Sequence, residues 1–372
     1  MQNIDKHRIN NDEKALLWID NYDFMTYKKK DKFLDLFSSP SEVLEQGKLL
    51  KNKDKILTFL SQDEFDILSS QIIEKTLDEI FNKLERLNIN FITCFSNNYP
   101  ITLNNIDTPP YVIYYKGNLN LLNTNCFAVV GSRHITSYGK MATEKFTIDL
   151  VKAGFTIVSG LASGVDTVAH SVSLDNKGNT IAVLAGGLDD IYPSTNINLA
   201  KRIIENNGLI ISETRPGKKT DAYMFPIRNR IIAGLSKGVL ITEAQEKSGV
   251  IHTKNYAIEY GKDVFAVPGS IFSSSSAGSN RMIVNGQAKA VINSDDILDE
   301  YNISLEKVMK TNHNYSIEES IIISCLEKGE KTFQELIVAT KYEVKRLNSL
   351  LTTLLIRGII RKLAGNIYYL NS

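Results

Sequence analysis

FAVVGSRHITSYGK, residues 127–140, reads as an apolar strand, a tight turn on Gly131 and a helix that begins near Tyr138. A strand that feeds a helix through a glycine turn is where nucleotide-binding sheets hold phosphate, because the first N–H groups of the helix have no partner within it. A dinucleotide loop would place a second and a third glycine there. This chain has Ser132 and Arg133 instead. A guanidinium at that point suits bidentate contact with a phosphate, and it equally suits an internal tie between the turn and a carboxylate. The residues alone leave both readings open.

Outward from this stretch, residues 126 to 292 alternate short apolar runs with helical patterns; the candidate strands are CFAVVG, FTIVSG, TIAVLAGG, GLIISE, GVLITEA, DVFAVPG and KAVINS. Strands alternating with helices predict a doubly wound, mostly parallel α/β sheet covered on both faces. The runs end in small residues at Gly131, Ser159-Gly160, Gly186-Gly187, Ser212 and Gly269, so several loops should face one crevice outside the carboxyl ends of the strands. From Asn90 a β-rich lead-in precedes this region, and YVIYYKG reads as an added strand.

The flanks differ in texture. Residues 1–90 show helical spacing in EKALLWI, DKFLDLF, SEVLEQ and one long segment from Glu64 to Leu87, which predicts a small helical domain. The Lys28 to Lys30 run there reads as a solvated face. The central domain is expected over 91–300 and a polar linker over 301–314. Residues 315–372 read as three helices and a hairpin, IIRKL and NIYYL paired across Ala364-Gly365, a pattern that fits a winged helix.

The chain of 372 residues is long enough for two or three domains. Lys and Arg total 43 against 42 for Asp and Glu, so any polyanion site must be a local patch. Cys94, Cys126 and Cys325 are widely spaced and read as free thiols. No apolar run approaches the ~20 residues that span a bilayer, and the first residues lack the apolar core of a signal peptide. A cytoplasmic protein without membrane insertion is expected.

Three further constellations could carry chemistry. In IVSGLASGVDTVAH, Ser159, Gly160, Ser163 and Gly164 could form a nest of backbone donors, and Asp166 and His170 fall on one helical face, where a mutual structural contact is expected. In MFPIRNRIIAGLS, Pro226 marks a helix start with Arg228, Asn229 and Arg230 in its first turn. Cations there oppose the helix dipole, so they call for an anion or an internal carboxylate such as Glu213 or Glu243, and at least one of the two arginines should have an internal partner. In EKSGVIHTKN, Ser248-Gly249 precede a helix that contains Lys254, and His252 reads as a capping or core residue. No nucleophile stands beside a base, no metal-ligand spacing occurs and the Walker A pattern is absent, so neither an enzyme nor a cofactor is expected.

GSRHITSYG, SGLASGVDTVAH, TIAVLAGGLDDIYP, FPIRNRIIAGLS and VFAVPG, in this order, resemble the bacterial DNA-processing protein A family (DprA/Smf), from about Tyr111 to Ile292. The resemblance implies a Rossmann-like core between a SAM-like helical domain and a winged helix. It also implies a dimer formed through that core, which binds single-stranded DNA, protects it during natural transformation and helps load the RecA recombinase, with single-stranded DNA-binding protein as a further partner. Carried over residue by residue, Gly131, Ser132 and Arg133 form the phosphate-contacting turn, while Phe225, Pro226, Arg228, Asn229 and Arg230 border the strand path. Phe225 and Tyr223 are stacking candidates, a buried Phe225 being the alternative. Lys218 or Lys219 would fill the basic position upstream, and Ser159, Gly160, Ser163, Gly186, Gly187 and Lys254 complete the expected nucleic-acid-binding set. Lys341, Lys345 and Arg346 would meet phosphate if the last long helix reads duplex DNA; a protein-docking surface and a solvated basic face are the alternatives. The same core resembles the nucleotide-cleaving LOG-type phosphoribohydrolases, but their P-G-G-x-G-T-x-x-E run is replaced here by EAQEKSGVIHTK.

Overall fold

The computed structural model describes residues 9–304, 316–357, 359–363 and 365–370. The chain divides into two compact units, Met1–Leu305 and Glu306–Ser372.

The first unit is built on a nine-stranded sheet. Its strands are β1 (Asn90–Thr93), β2 (Val112–Gly117), β3 (Cys126–Val130), β4 (Thr156–Ser159), β5 (Thr180–Leu184), β6 (Leu209–Ser212), β7 (Gly238–Ile241), β8 (Asp263–Ala266) and β9 (Lys289–Ala290). They stand in the order β1-β2-β6-β5-β4-β3-β7-β8-β9, with β3 to β9 parallel and β1 and β2 added antiparallel at one edge. KAVINS thus contributes only its first two ladder residues, at the far edge. Every residue of β3 to β7 is buried, as expected for a parallel sheet with helices on both faces. The chain winds from β3 outward to β6 and then returns to β7 on the other side of β3. That reversal leaves a switch point between the carboxyl ends of β3 and β7, the place where such sheets open a crevice.

The helical segment before β1 packs on this sheet and shares one apolar core with it: Leu16, Trp18, Phe33 and Leu84 cluster with Val112, Tyr114, Leu184 and Ile210. Tyr114 donates its hydroxyl to Asp20 at 2.7 Å across the junction. The expected long helix over residues 64–87 is two, Gln62–Ser70 and Ile73–Arg86, because Gln71 and Ile72 take extended backbone angles between them. Two lysines of the 28–30 run are in ion pairs rather than merely solvated: Lys29 with Glu64 at 2.6 Å, and Lys30 with Asp20. Tyr301 belongs to this unit, for it donates to Asp263 at 2.8 Å and packs edge-on against Phe127 and Phe155.

Residues 305–315, which hold most of the expected linker, lie outside the described residues, as does Ala364 of the expected hairpin turn. The second unit contains helices Ile317–Leu326, Phe333–Thr340 and Val344–Ile356 and a small antiparallel sheet of β10 (Lys331–Thr332), β11 (Ile360–Leu363) and β12 (Ile367–Leu370) in the order β10-β12-β11. Capping boxes start its first two helices, Ser316 with Glu319 and Thr332 with Glu335. Its own core gathers Ile322, Leu336, Leu347, Leu354 and Tyr368.

Candidate functional site

The turn after β3 is fixed from several sides. A Cβ on Gly131 would come within 2.5 Å of Val165 and 2.9 Å of the Glu243 carbonyl, so only glycine lets β3 end this close to its neighbours. Ser132 donates its N–H to the Glu243 carbonyl at 2.8 Å and accepts from Val165 N–H at 3.1 Å, and its hydroxyl receives His134 N–H at 3.1 Å. The helix that follows is Ser137–Lys152, capped by Thr136. Glu243 in turn accepts from Thr136, N–H at 2.9 Å and hydroxyl at 2.5 Å. The turn is therefore anchored at both ends, and Arg133 stands exposed at its apex. No carboxylate among the described residues pairs with Arg133; its guanidinium lies over the Phe225 ring, 5.2 Å from the centroid. Phe225 meets Tyr192 edge-on at 5.6 Å.

Arg133, Phe225 and Tyr192 line a crevice of about 530 Å³ at the switch point, together with His134, Asn229, Lys247 and His252. Ser163 lines a smaller recess beside it with Arg133, Tyr192 and Phe225. Lys247 is exposed on the loop after β7 and forms no ion pair among the described residues. The crevice thus offers free cations and two partly exposed rings on one rim. His252 is exposed at this rim, neither a cap nor a core residue.

Several expected site residues do other work. Arg228, in the helix Met224–Leu235, borders the crevice but is 7% exposed and donates inward, to the carbonyl of Gly160 at 2.8 Å and to that of Val183. A Cβ on Gly160 would sit 2.5 Å from this guanidinium, so that glycine makes room for Arg228 rather than for a ligand. Burial pushes Arg228 down to about 10, against the pull of Asp166. Asp166 accepts from Gly160 N–H at 3.0 Å and Ala162 N–H at 3.3 Å; burial raises its carboxyl, and Arg228 opposes the rise. His170 does not bond to Asp166 as expected. Its Nδ1 lies 2.7 Å from the Thr180 hydroxyl, and burial, aided by Arg228, pushes it down to about 3.

Arg230 is also internal: it donates to Glu213 at 2.7 Å and to the Thr108 hydroxyl at 3.0 Å. Both arginines of the FPIRNR run therefore make internal contacts where the helix dipole would otherwise oppose them, Arg228 with main-chain carbonyls and Arg230, through Nε and Nη2, with Thr108 and Glu213. Ser159 is fully buried and donates to the Val129 carbonyl at 2.7 Å. Gly186 and Gly187 lie beneath the 213–220 loop, where added Cβ atoms would meet Thr220 and Asp189. Lys254 is buried and donates to Gln287 at 3.0 Å. Lys218 pairs with Asp23 at 3.4 Å, whereas Lys219 is exposed. In the second unit, Arg346 bonds Glu318 at 3.2 Å through Nε, while Lys345 is exposed.

Tyr192 and Lys247 carry no local signal in the sequence: Tyr192 follows a strand that ends in the glycine pair and has no cation beside it, and Lys247 lies in the polar loop after β7. Asp166, which lines the crevice, accepts from backbone N–H groups, and Glu243, behind the turn, accepts from the N–H and hydroxyl of Thr136, which leaves neither placed as a free base.

Comparison with known proteins meets the same region. The family model described as DNA recombination-mediator protein A matches residues 90–302. The chain belongs to that family. DNA processing protein DprA of Bacillus subtilis is 37% identical over 270 residues, covering 70% of this chain and 90% of the relative. The Streptococcus pneumoniae DprA structure aligns with a TM-score of 0.58 at 35% identity, over 78% of this chain and 98% of that one. A Helicobacter pylori DprA structure, described for that protein's single-stranded DNA binding mode, aligns with a TM-score of 0.52 at 31% identity, over 61% of this chain and 99% of that one. The Arg133 turn, the switch-point crevice and the FPIRNR helix all lie within the matched part of this DNA-processing family.

Proposed function

We propose that this chain binds single-stranded DNA in the switch-point crevice and acts as a recombination mediator rather than as an enzyme. The observation that carries the reading is Arg133: an anchored turn presents its guanidinium unpaired among the described residues, over the Phe225 ring and beside Tyr192. Cations that meet phosphate and aromatic faces that meet bases are what a strand with splayed bases requires. Duplex DNA stacks its bases away and would leave the rings without a partner. Lys247 extends the cationic path, and Ser163 supplies a hydroxyl at its edge.

On this reading the protein is cytoplasmic, protects incoming single strands, and passes them to RecA during transformation or recombination, with single-stranded DNA-binding protein as a further partner and no cofactor. Family membership supports these roles. A homodimer through the central sheet, spacing two crevices, is part of the same proposal. The helical segment is proposed as a SAM-like domain and the second unit as a winged helix; the order of its three helices and its terminal hairpin supports the latter.

A crystal structure with a short oligothymidine tests the site. A phosphate oxygen should lie about 3 Å from the Arg133 guanidinium, within hydrogen-bond range, with a base against Phe225 or Tyr192. A strand bound elsewhere, with the crevice empty, would overturn the assignment.

A further inference from the structure

A second cavity, of about 430 Å³, lies between the helical segment and the sheet, on the other side of the Tyr223–Ile227 stretch from the crevice. Cations outnumber carboxylates along its lining, six to three. Two guanidinium nitrogens there are buried without a hydrogen-bond partner, Nη1 of Arg230 and Nε of Arg215. Arg230 is 3% exposed and satisfies only Nη2 and Nε, on Glu213 and Thr108. Arg215 and Lys218 converge on Asp23, at 3.1 and 3.4 Å, yet that carboxylate is 61% exposed. An exposed carboxylate holds its cations weakly, and a phosphate with more charge and more acceptor oxygens can take its place.

Four tyrosines, Tyr22, Tyr27, Tyr223 and Tyr256, also line the cavity. Tyr27 and Tyr256 each stack one face on another tyrosine, Tyr111 and Tyr260. Tyr223 is 57% exposed at the rim with no ring partner among the described residues, which leaves a face for a base. From orphaned guanidinium donors beside free aromatic faces, we propose that this cavity is a second binding site and that it takes one nucleoside phosphate, with the phosphate on Arg215, Arg230 and Lys218 and the base on Tyr223. The occupant is either a free mononucleotide or one nucleotide of a longer strand. The site shares with the crevice only Arg228, whose guanidinium is taken by main-chain carbonyls, and neither Arg133 nor Phe225.

The chain carries its own reporter. Trp18, the single tryptophan, is fully buried and packs edge-on at 5.4 Å against Tyr22, which lines the cavity. The full chain is titrated with deoxythymidine monophosphate, with oligothymidine and with inorganic phosphate while Trp18 emission is followed. A saturable change is expected with one or both thymidine ligands. Arg215→Gln should raise its half-point about tenfold, the loss expected for a charge-assisted hydrogen bond. Lys218→Ala, at the rim and with little bearing on folding, should shift it in the same direction. Arg133→Ala should leave the mononucleotide half-point in place. Saturation by the mononucleotide identifies a free nucleotide as an occupant; a response to oligothymidine alone identifies a strand. Three results would overturn the proposal: no change with either ligand, an equal half-point with inorganic phosphate, or a response lost in Arg133→Ala and kept in Arg215→Gln. If Arg133→Ala binds oligothymidine as the unsubstituted chain does, the crevice reading fails while the Trp18 result stands.

Discussion

Arg133 and Arg228 border the same crevice from different elements, and their surroundings set them to different tasks. Arg133 sits at the apex of a turn whose backbone donors and acceptors are already satisfied by Glu243, Val165 and His134, so its guanidinium has nothing internal to do. Arg228 rises from a helix into the ends of β4 and β5, where the carbonyls of Gly160 and Val183 take its donors and Asp166 balances its charge. A cation already satisfied inside the fold cannot also bind an external phosphate without breaking those bonds. The lesson of the pair is that accessibility and unpaired donors, more than charge, mark a binding arginine.

The contrast can be broken by substitution. Arg228→Ala should have the largest effect, a loss of about 3–5 kcal/mol of stability, because it strands Asp166 as an uncompensated buried charge. Urea unfolding reads this directly, and a loss below about 1 kcal/mol would remove Arg228 from the structural class. Gly160→Ala should act in the same direction, since its Cβ would stand 2.5 Å from the guanidinium.

The same buried cluster predicts a pH dependence. His170 titrates near 6.5 when unfolded and near 3 in the fold, so between those values the unfolded chain binds the extra proton. Stability is therefore full above the unfolded value and falls by about 1.4 kcal/mol per pH unit as the pH drops through this window. Asp166, raised by burial, binds its proton more readily in the fold and works against this trend at lower pH. Unfolding of His170→Asn alongside the unsubstituted chain isolates the histidine; the variant should show the shallower slope, and parallel curves would refute the assignment.

Smaller effects are expected at the exposed rim. Tyr192→Ala should weaken single-strand binding by about 1 kcal/mol, the lower end for one stacked base, without changing its salt dependence. Lys254→Met should leave binding unaltered, since that lysine is buried against Gln287. Anisotropy with labelled oligothymidine distinguishes the two variants.

Much of the scaffold was legible in the sequence. The apolar runs of β3 to β8 and the turn at Gly131 carry strong local signals, since parallel strands buried on both faces allow few polar residues. The Arg230–Glu213 pair is one of the two carboxylate choices the sequence offers, and Glu243, the other, accepts from Thr136, the cap of the helix Ser137–Lys152, instead. The burial of Arg228 was not legible, because its partners are main-chain carbonyls 68 and 45 residues away, brought together by the sheet alone. Tyr192 escaped for the same reason: its role comes from meeting Phe225 across the crevice, and nothing in LDDIYP announces that neighbour.

The central claim is that Arg133 is a phosphate contact with no structural duty. Its most direct test is the affinity of the unsubstituted chain and of Arg133→Ala for oligothymidine across a salt series. The account predicts binding about tenfold weaker at low salt and a log–log salt slope shallower by about 0.7, the change for one phosphate contact on a single strand. Equal affinity with an equal slope would contradict it.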